Sequence, residues 1–138
     1  LRWRALRVSS QSDVRFARSV QSFDPAHAAG EIVAQVIHAA GSRVAPVGVD
    51  SQAKYGLVSR GDVELFARVP PEPSYREKVW DHAAGAAICA AAGGVVTDLE
   101  GRSFDWTTGT KLMANRGLLV STPALHRQFV AAARSPNG

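Results

Sequence analysis

From Ala83 to Ala92 the chain runs Ala-Ala-Gly-Ala-Ala-Ile-Cys-Ala-Ala-Ala, ten residues with almost nothing longer than a methyl group, closed by Gly93-Gly94. Such a stretch predicts a helix over 82–92 with no polar face, and a helix without a polar face is expected to be buried on most sides. With so little side chain its backbone can come unusually close to its neighbours, and Gly85 adds to that. The rest of the fold must therefore be arranged around a close-packed helix, and the segments on either side supply the partners.

Upstream, Asp24-Pro25 opens a helix over 24–40, with Ile32, Val33, Val36, Ile37 and Ala40 at helical spacing and Gly41 as its stop. Val47 to Asp50 reads as a short strand, and 51–60 as a short helix ended by Gly61. Asp62 to Val69 has period two, with Val63, Leu65 and Ala67 on one side and Glu64, Phe66 and Arg68 on the other; Pro70-Pro71 ends that strand. A polar loop covers 71–78. After the small-residue helix, Val95–Thr97 and Leu118–Ser121 are apolar strands, and Thr122-Pro123 opens a last helix with Leu125, Phe129, Val130 and Ala133 on one face. Strands alternate with helices, which places the chain in the α/β class.

Charge separates the first residues from the remainder. The 138 residues carry 16 basic and 12 acidic side chains, a net charge of +4. Arg2, Arg4, Arg7, Arg15 and Arg18 against Asp13 alone account for all of that excess, so residues 1–19 read as a basic leader and 20–138 as the folded body. A neutral body argues against nucleic acid as a partner, because such a partner needs its basic excess on a face of the fold. No run of 18 apolar residues exists, so no membrane-spanning helix is expected. Cys89 is the only cysteine, which excludes a disulfide framework and a cysteine zinc site, and fits a cytoplasmic or organellar compartment rather than secretion.

Three stretches carry candidate chemistry. Asp81, in Trp80-Asp81-His82-Ala83-Ala84-Gly85, either caps the following helix or offers a hard oxygen ligand to a cation such as Mg²⁺. Ser51 and Lys54, in Asp50-Ser51-Gln52-Ala53-Lys54-Tyr55, lie one helical turn apart, so both can face one anion at a helix start; the alternative is a capping residue followed by a solvated lysine. Arg68 stands near a strand terminus, where α/β sites tend to lie, whereas Arg60, Arg76 and Lys78 read as solvated. His38 and His126 read as surface or core-edge residues, His82 as a residue that orients Asp81, and Trp80 as core.

Taken together these stretches resemble the C-terminal half of the inositol monophosphatase superfamily. The resemblance runs through Trp80-Asp81-His82-Ala83-Ala84-Gly85, Ala92-Gly93-Gly94-Val95-Val96-Thr97-Asp98 and Gly101 to Asp105. Within the superfamily, Asp50 to Tyr55 and Tyr75 to His82 are similar to the 3′(2′),5′-bisphosphate nucleotidases, phosphatases that remove the 3′-phosphate of adenosine 3′,5′-bisphosphate to leave AMP. The resemblance implies one lobe of a layered α/β sandwich, a mixed sheet flanked by helices. It implies Mg²⁺ as cofactor with Asp81 as a ligand, and Ser51, Lys54, Arg68 and His27 as residues that hold the nucleotide.

The sequence also departs from the family pattern. Ala91 stands where a Glu is usual, and His27-Ala28-Ala29-Gly30 where a His-Ser-Ser-His-like run is usual. The Glu-Glu pair and the Asp-Pro-x-Asp-Gly-Thr run that supply the other metal ligands are absent, and the resemblance assigns these to an N-terminal domain in cis. One aspartate does not hold a cluster of Mg²⁺ ions or orient the attacking water. Phosphatase activity of this chain by itself is accordingly expected near background. The other readings are an inositol phosphate phosphatase of the same superfamily and a non-catalytic binding or interaction module.

Overall fold

The structure is a computed structural model describing residues 14–18, 34, 37, 38, 41, 42 and 45–134. Its elements are β1 (Phe16–Arg18), β2 (Val47–Gly48), α1 (Ala53–Arg60), β3 (Leu65–Arg68), a single 3₁₀ turn (Val79–Asp81), α2 (Ala83–Ala91), β4 (Val95–Thr97), β5 (Leu118–Ser121) and α3 (Pro123–Arg134). The strands form one five-stranded sheet in the order β2-β1-β3-β5-β4. It is mixed: β1 is parallel to both β2 and β3, while β5 runs antiparallel to β3 and β4.

Helices cover both faces. Ala17, Phe66, Leu118 and Val120 pack beneath α1 and α2 with Tyr55, Val58, Ala86 and Cys89. Phe16, Leu65 and Leu119 pack on the other face with Leu99 and with Phe129 and Ala133 of α3. Two covered faces explain why all four residues of β5 are buried and why the period-two pattern of β3 sends Phe66 and Leu65 into different cores. Val63 precedes the paired part of that strand and lies with Phe66, not with Leu65 as the alternation predicts.

Residues 16–18 correct the boundary expected after the basic leader. Phe16 pairs with Leu65 and Ala17 with Phe66 in the interior of the sheet, and both are buried. Arg15 is held as firmly: its guanidinium and its backbone N–H donate to the buried Glu64 carboxylate at 2.6–3.2 Å. Most of the helix expected over 24–40, with Asp24 and His27, lies outside the described residues.

The small-residue helix is the second correction. Gly85, Ala86 and Cys89 face inward, whereas Ala84, Ala87, Ile88, Ala90 and Ala91 are exposed, so α2 is buried on one side only. The close approach is real on that side: a Cβ on Gly85 would stand 2.5 Å from Tyr55 Cδ2, so α1 and α2 meet at a distance only glycine permits. Trp80, expected in the core, is 58% exposed. The 3₁₀ turn points Val79 into the core and Trp80 outward, where the Lys78 ammonium lies 5.6 Å from its ring centre. Among the described residues no helix is long and apolar enough to cross a membrane.

Candidate functional site

The loop entering α1, the end of β3 and the 3₁₀ turn before α2 enclose a cavity of about 370 Å³. Its lining brings together four of the residues singled out from the sequence, Ser51, Lys54, Arg68 and Asp81, with Asp50, Gln52, Tyr55, Phe66 and His82. His27 lies outside the described residues. Arg60, Arg76 and Lys78 do not line it; Arg76 instead ties down its own loop by donating to the Pro73 and Tyr75 carbonyls.

Gln52 holds the walls together. Its Nε2 donates to the Trp80 carbonyl at 3.0 Å and its Oε1 accepts the Gly85 N–H at 2.7 Å, so one amide spans from the start of α1 to the turn carrying Asp81. Gln52 also stands at the N-cap position of α1, without a side-chain cap bond. Ser51, one residue earlier, has φ of +65°, the left-handed region that costs a non-glycine residue free energy. Its hydroxyl accepts a long hydrogen bond from the Ala53 N–H at 3.4 Å, so the serine meets the first N–H of α1 from a strained turn at the cavity edge.

Lys54 is buried, not solvated. Its ammonium donates to the Val49 carbonyl at 3.1 Å and lies 5.1 Å from the centre of the Phe66 ring. Burial pulls its pKa below the ordinary 10.5; Asp50 opposes that shift and Arg68 adds to it. An ammonium has three N–H donors; among the described residues Lys54 makes this one hydrogen bond, and it lines the cavity. Asp81 is exposed, and its carboxylate makes no hydrogen bond or ion pair among the described residues. It does not cap α2, whose N-cap position is held by His82 without a side-chain cap bond. The cavity thus presents two cations, a strained hydroxyl and an uncommitted carboxylate.

Behind this surface lies a polar chain that sequence reasoning missed. Glu77 and His82 are both buried. His82 Nε2 is 2.9 Å from Glu77 Oε2, and His82 Nδ1 is 3.0 Å from the Tyr55 hydroxyl. Glu77 Oε1 lies 3.0 Å from Arg68 Nε as an ion pair without hydrogen-bond geometry. His82 therefore does not simply orient Asp81; it joins α1, α2 and the end of β3.

Asp98, the last residue of the Gly-Gly-x-x-Thr-Asp run, does not line the cavity. It closes its own turn, accepting from the Glu100 and Arg102 N–H groups, from Arg102 Nε and from Asn115 Nδ2 at 2.9–3.1 Å. That half of the sequence pattern is architecture. Among the described residues no group of three His, Cys, Asp or Glu side chains could hold a metal ion. Asp81 suits a hard cation as a single oxygen ligand, and the described residues do not complete a site.

The inositol monophosphatase family model matches residues 2–136. The chain belongs to the inositol monophosphatase family. Among curated members it is 37% identical over 112 residues to a 3′(2′),5′-bisphosphate nucleotidase of Oryza sativa, covering 81% of this chain and 31% of that protein. It is 36% identical over 121 residues to a 3′(2′),5′-bisphosphate nucleotidase of Dictyostelium discoideum, covering 88% of this chain and 36% of that one. The chain spans about a third of the length of these family members. Solved structures of the family share the fold: the Staphylococcal IMPase-II at TM-score 0.66 and 21% identity, covering 95% of this chain and 45% of that one, and the extragenic suppressor protein suhB of Bartonella henselae at 0.65 and 18%, covering 94% and 46%. The mixed sheet flanked by helices is the α/β arrangement expected of one lobe of this family.

Proposed function

We propose that this chain is the nucleotide-binding part of a Mg²⁺-dependent phosphatase that hydrolyses the 3′-phosphate of adenosine 3′,5′-bisphosphate to AMP. The observation that carries the reading is the single cavity wall shared by Ser51, Lys54, Arg68 and Asp81, in a chain more than a third identical to bisphosphate nucleotidases. In this reading residues 20–138, with β1 added, form the lobe, and a further domain in cis supplies the other metal ligands and the group that orients the attacking water. His27 contributes to the nucleoside side of the same site.

Each residue has a defined task. Lys54 and Arg68 supply fixed positive charge for a phosphate dianion, and the guanidinium can grip two of its oxygens. The Ser51 hydroxyl supplies a neutral hydrogen bond. Asp81 repels that same anion unless a cation stands between them, which is the physical support for a divalent ion at this wall. When bound, Mg²⁺ supplies Lewis-acid stabilisation of charge on the transferring phosphoryl group. The chain's own residues bind and orient the nucleotide.

Calorimetric titration of the 138-residue chain with AMP tests the reading. Binding is expected, weakened roughly tenfold or more by Lys54→Ala and by Arg68→Ala, the loss typical of a hydrogen bond to a charged group. Phosphate release from adenosine 3′,5′-bisphosphate is expected near background. No binding, or variants that bind like the parent, rejects the nucleotide assignment. Robust Mg²⁺-dependent turnover by this chain rejects the need for further ligands. Competition with an inositol monophosphate separates the nucleotide from the inositol phosphate alternative.

A further inference from the structure

Arg68 has few restraints for a residue asked to hold a ligand. Its side chain is 40% exposed, its Nη2 reaches the Tyr75 hydroxyl at a long 3.4 Å, and its guanidinium carbon lies 6.0 Å from the Tyr75 ring centre. The closest charged partner is the Glu77 carboxylate at 3.0 Å, and Glu77 is itself 2% exposed. A buried carboxylate is costly unless it is paired and hydrogen-bonded, as Glu77 is with Arg68 and His82. It is also firmly placed. The Glu77 carbonyl accepts the Leu112 N–H at 2.9 Å, and Oε2 accepts a hydrogen bond from His82 Nε2–H at 2.9 Å, since a carboxylate has no proton to give. His82 Nδ1 in turn lies 3.0 Å from the Tyr55 hydroxyl.

We infer that Glu77 is a positioning residue for the site, its carboxylate fixed from behind by the Tyr55–His82 pair so that its other oxygen holds the Arg68 guanidinium toward the ligand. Among the described residues Glu77 meets the fork at Nε and Tyr75 meets Nη2 only at a long 3.4 Å, which leaves terminal N–H donors for a phosphate. The negative charge of Glu77 also offsets the repulsion between Arg68 and Lys54 before a ligand binds. The inference rests on the nucleotide reading for its ligand, but not for its geometry.

Two measurements on the full chain test it. In a double-mutant cycle read by AMP titration, Glu77→Gln should weaken binding roughly tenfold, and Glu77→Gln with Arg68→Ala should bind no more weakly than Arg68→Ala alone. A residue that only stabilises the fold gives additive losses, and additivity overturns the inference. The second measurement needs no nucleotide. The Arg68 Nε–H resonance in ¹⁵N NMR should shift in Glu77→Gln, where the carboxylate 3.0 Å from Nε loses its charge, and also in His82→Leu, where the carboxylate loses its anchor. If AMP does not bind the parent chain, the nucleotide reading fails while the resonance still decides the role of Glu77. An Arg68 signal unchanged in both variants overturns it. Should Glu77→Gln not fold, His82→Leu carries both measurements.

Discussion

Asp98 and Asp81 are both part of the motifs that mark this family, and the structure treats them oppositely. Asp98 is fully buried and takes hydrogen bonds from two backbone N–H groups and two side chains. Asp81 is exposed and takes none among the described residues. The two histidines repeat the contrast in milder form. His126 is closed off between Thr97 and Ser121, at 2.9 and 2.8 Å, on the α3 side of the sheet. His82 joins a chain that ends on a half-exposed guanidinium in the cavity wall. A polar group whose hydrogen-bonding capacity is filled by the fold is holding the fold together; one left with spare capacity at a cavity is available to something else.

The contrast is broken or sharpened first by stability. Asp98→Ala strands the Asn115 amide and the turn's backbone donors, and should lower the unfolding free energy by about 3 kcal/mol. Asp81→Asn should leave the urea midpoint within the equivalent of about 0.5 kcal/mol, as for a surface substitution. Equal losses at the two positions would abolish the distinction.

A smaller effect concerns pH. Lys54 titrates below the ordinary 10.5 because it is buried, and a bound dianion favours its charged form. Above the pKa of the free chain, binding must therefore take up a proton, so AMP affinity should fall as pH rises, beginning below 10.5. The phosphate itself is dianionic above a pKa of about 6 and contributes nothing to that limb. Lys54→Arg, with a group that stays charged, should flatten the limb in calorimetric titrations run across alkaline pH. An unchanged limb would assign it to another group.

Much of this was legible from the chain alone, for local reasons. The strands Val95–Thr97 and Leu118–Ser121 and the helix opened by Thr122-Pro123 announce themselves through apolar runs and capping signals within a few residues. Ser51, Lys54, Arg68 and Asp81 were found because the family pattern names them, and the cavity holds all four. What was not legible depends on distance along the chain. Glu77 lies inside the Tyr75 to His82 stretch that resembles the family, but its partners are 5 and 9 residues away with Tyr55 one step further, so nothing local marks its role. The placement of β1 was hidden by composition: Val14, Phe16 and Ala17 are buried, yet five arginines among the first 18 residues give the segment the look of a solvated leader. The outward faces of α2 and Trp80 escaped for the reverse reason. Apolarity implies burial only where the chain supplies a second layer, and here the described residues cover one side.

The most direct measurement is the Mg²⁺ dependence of AMP binding in the parent chain and in Asp81→Asn. An acidic group beside the phosphate should make the parent bind more tightly when Mg²⁺ is added, while Asp81→Asn, relieved of the repulsion, should bind at least as well without the ion and gain nothing from it. A parent chain indifferent to Mg²⁺, or a variant that gains from it as much as the parent, would contradict the place given to this carboxylate.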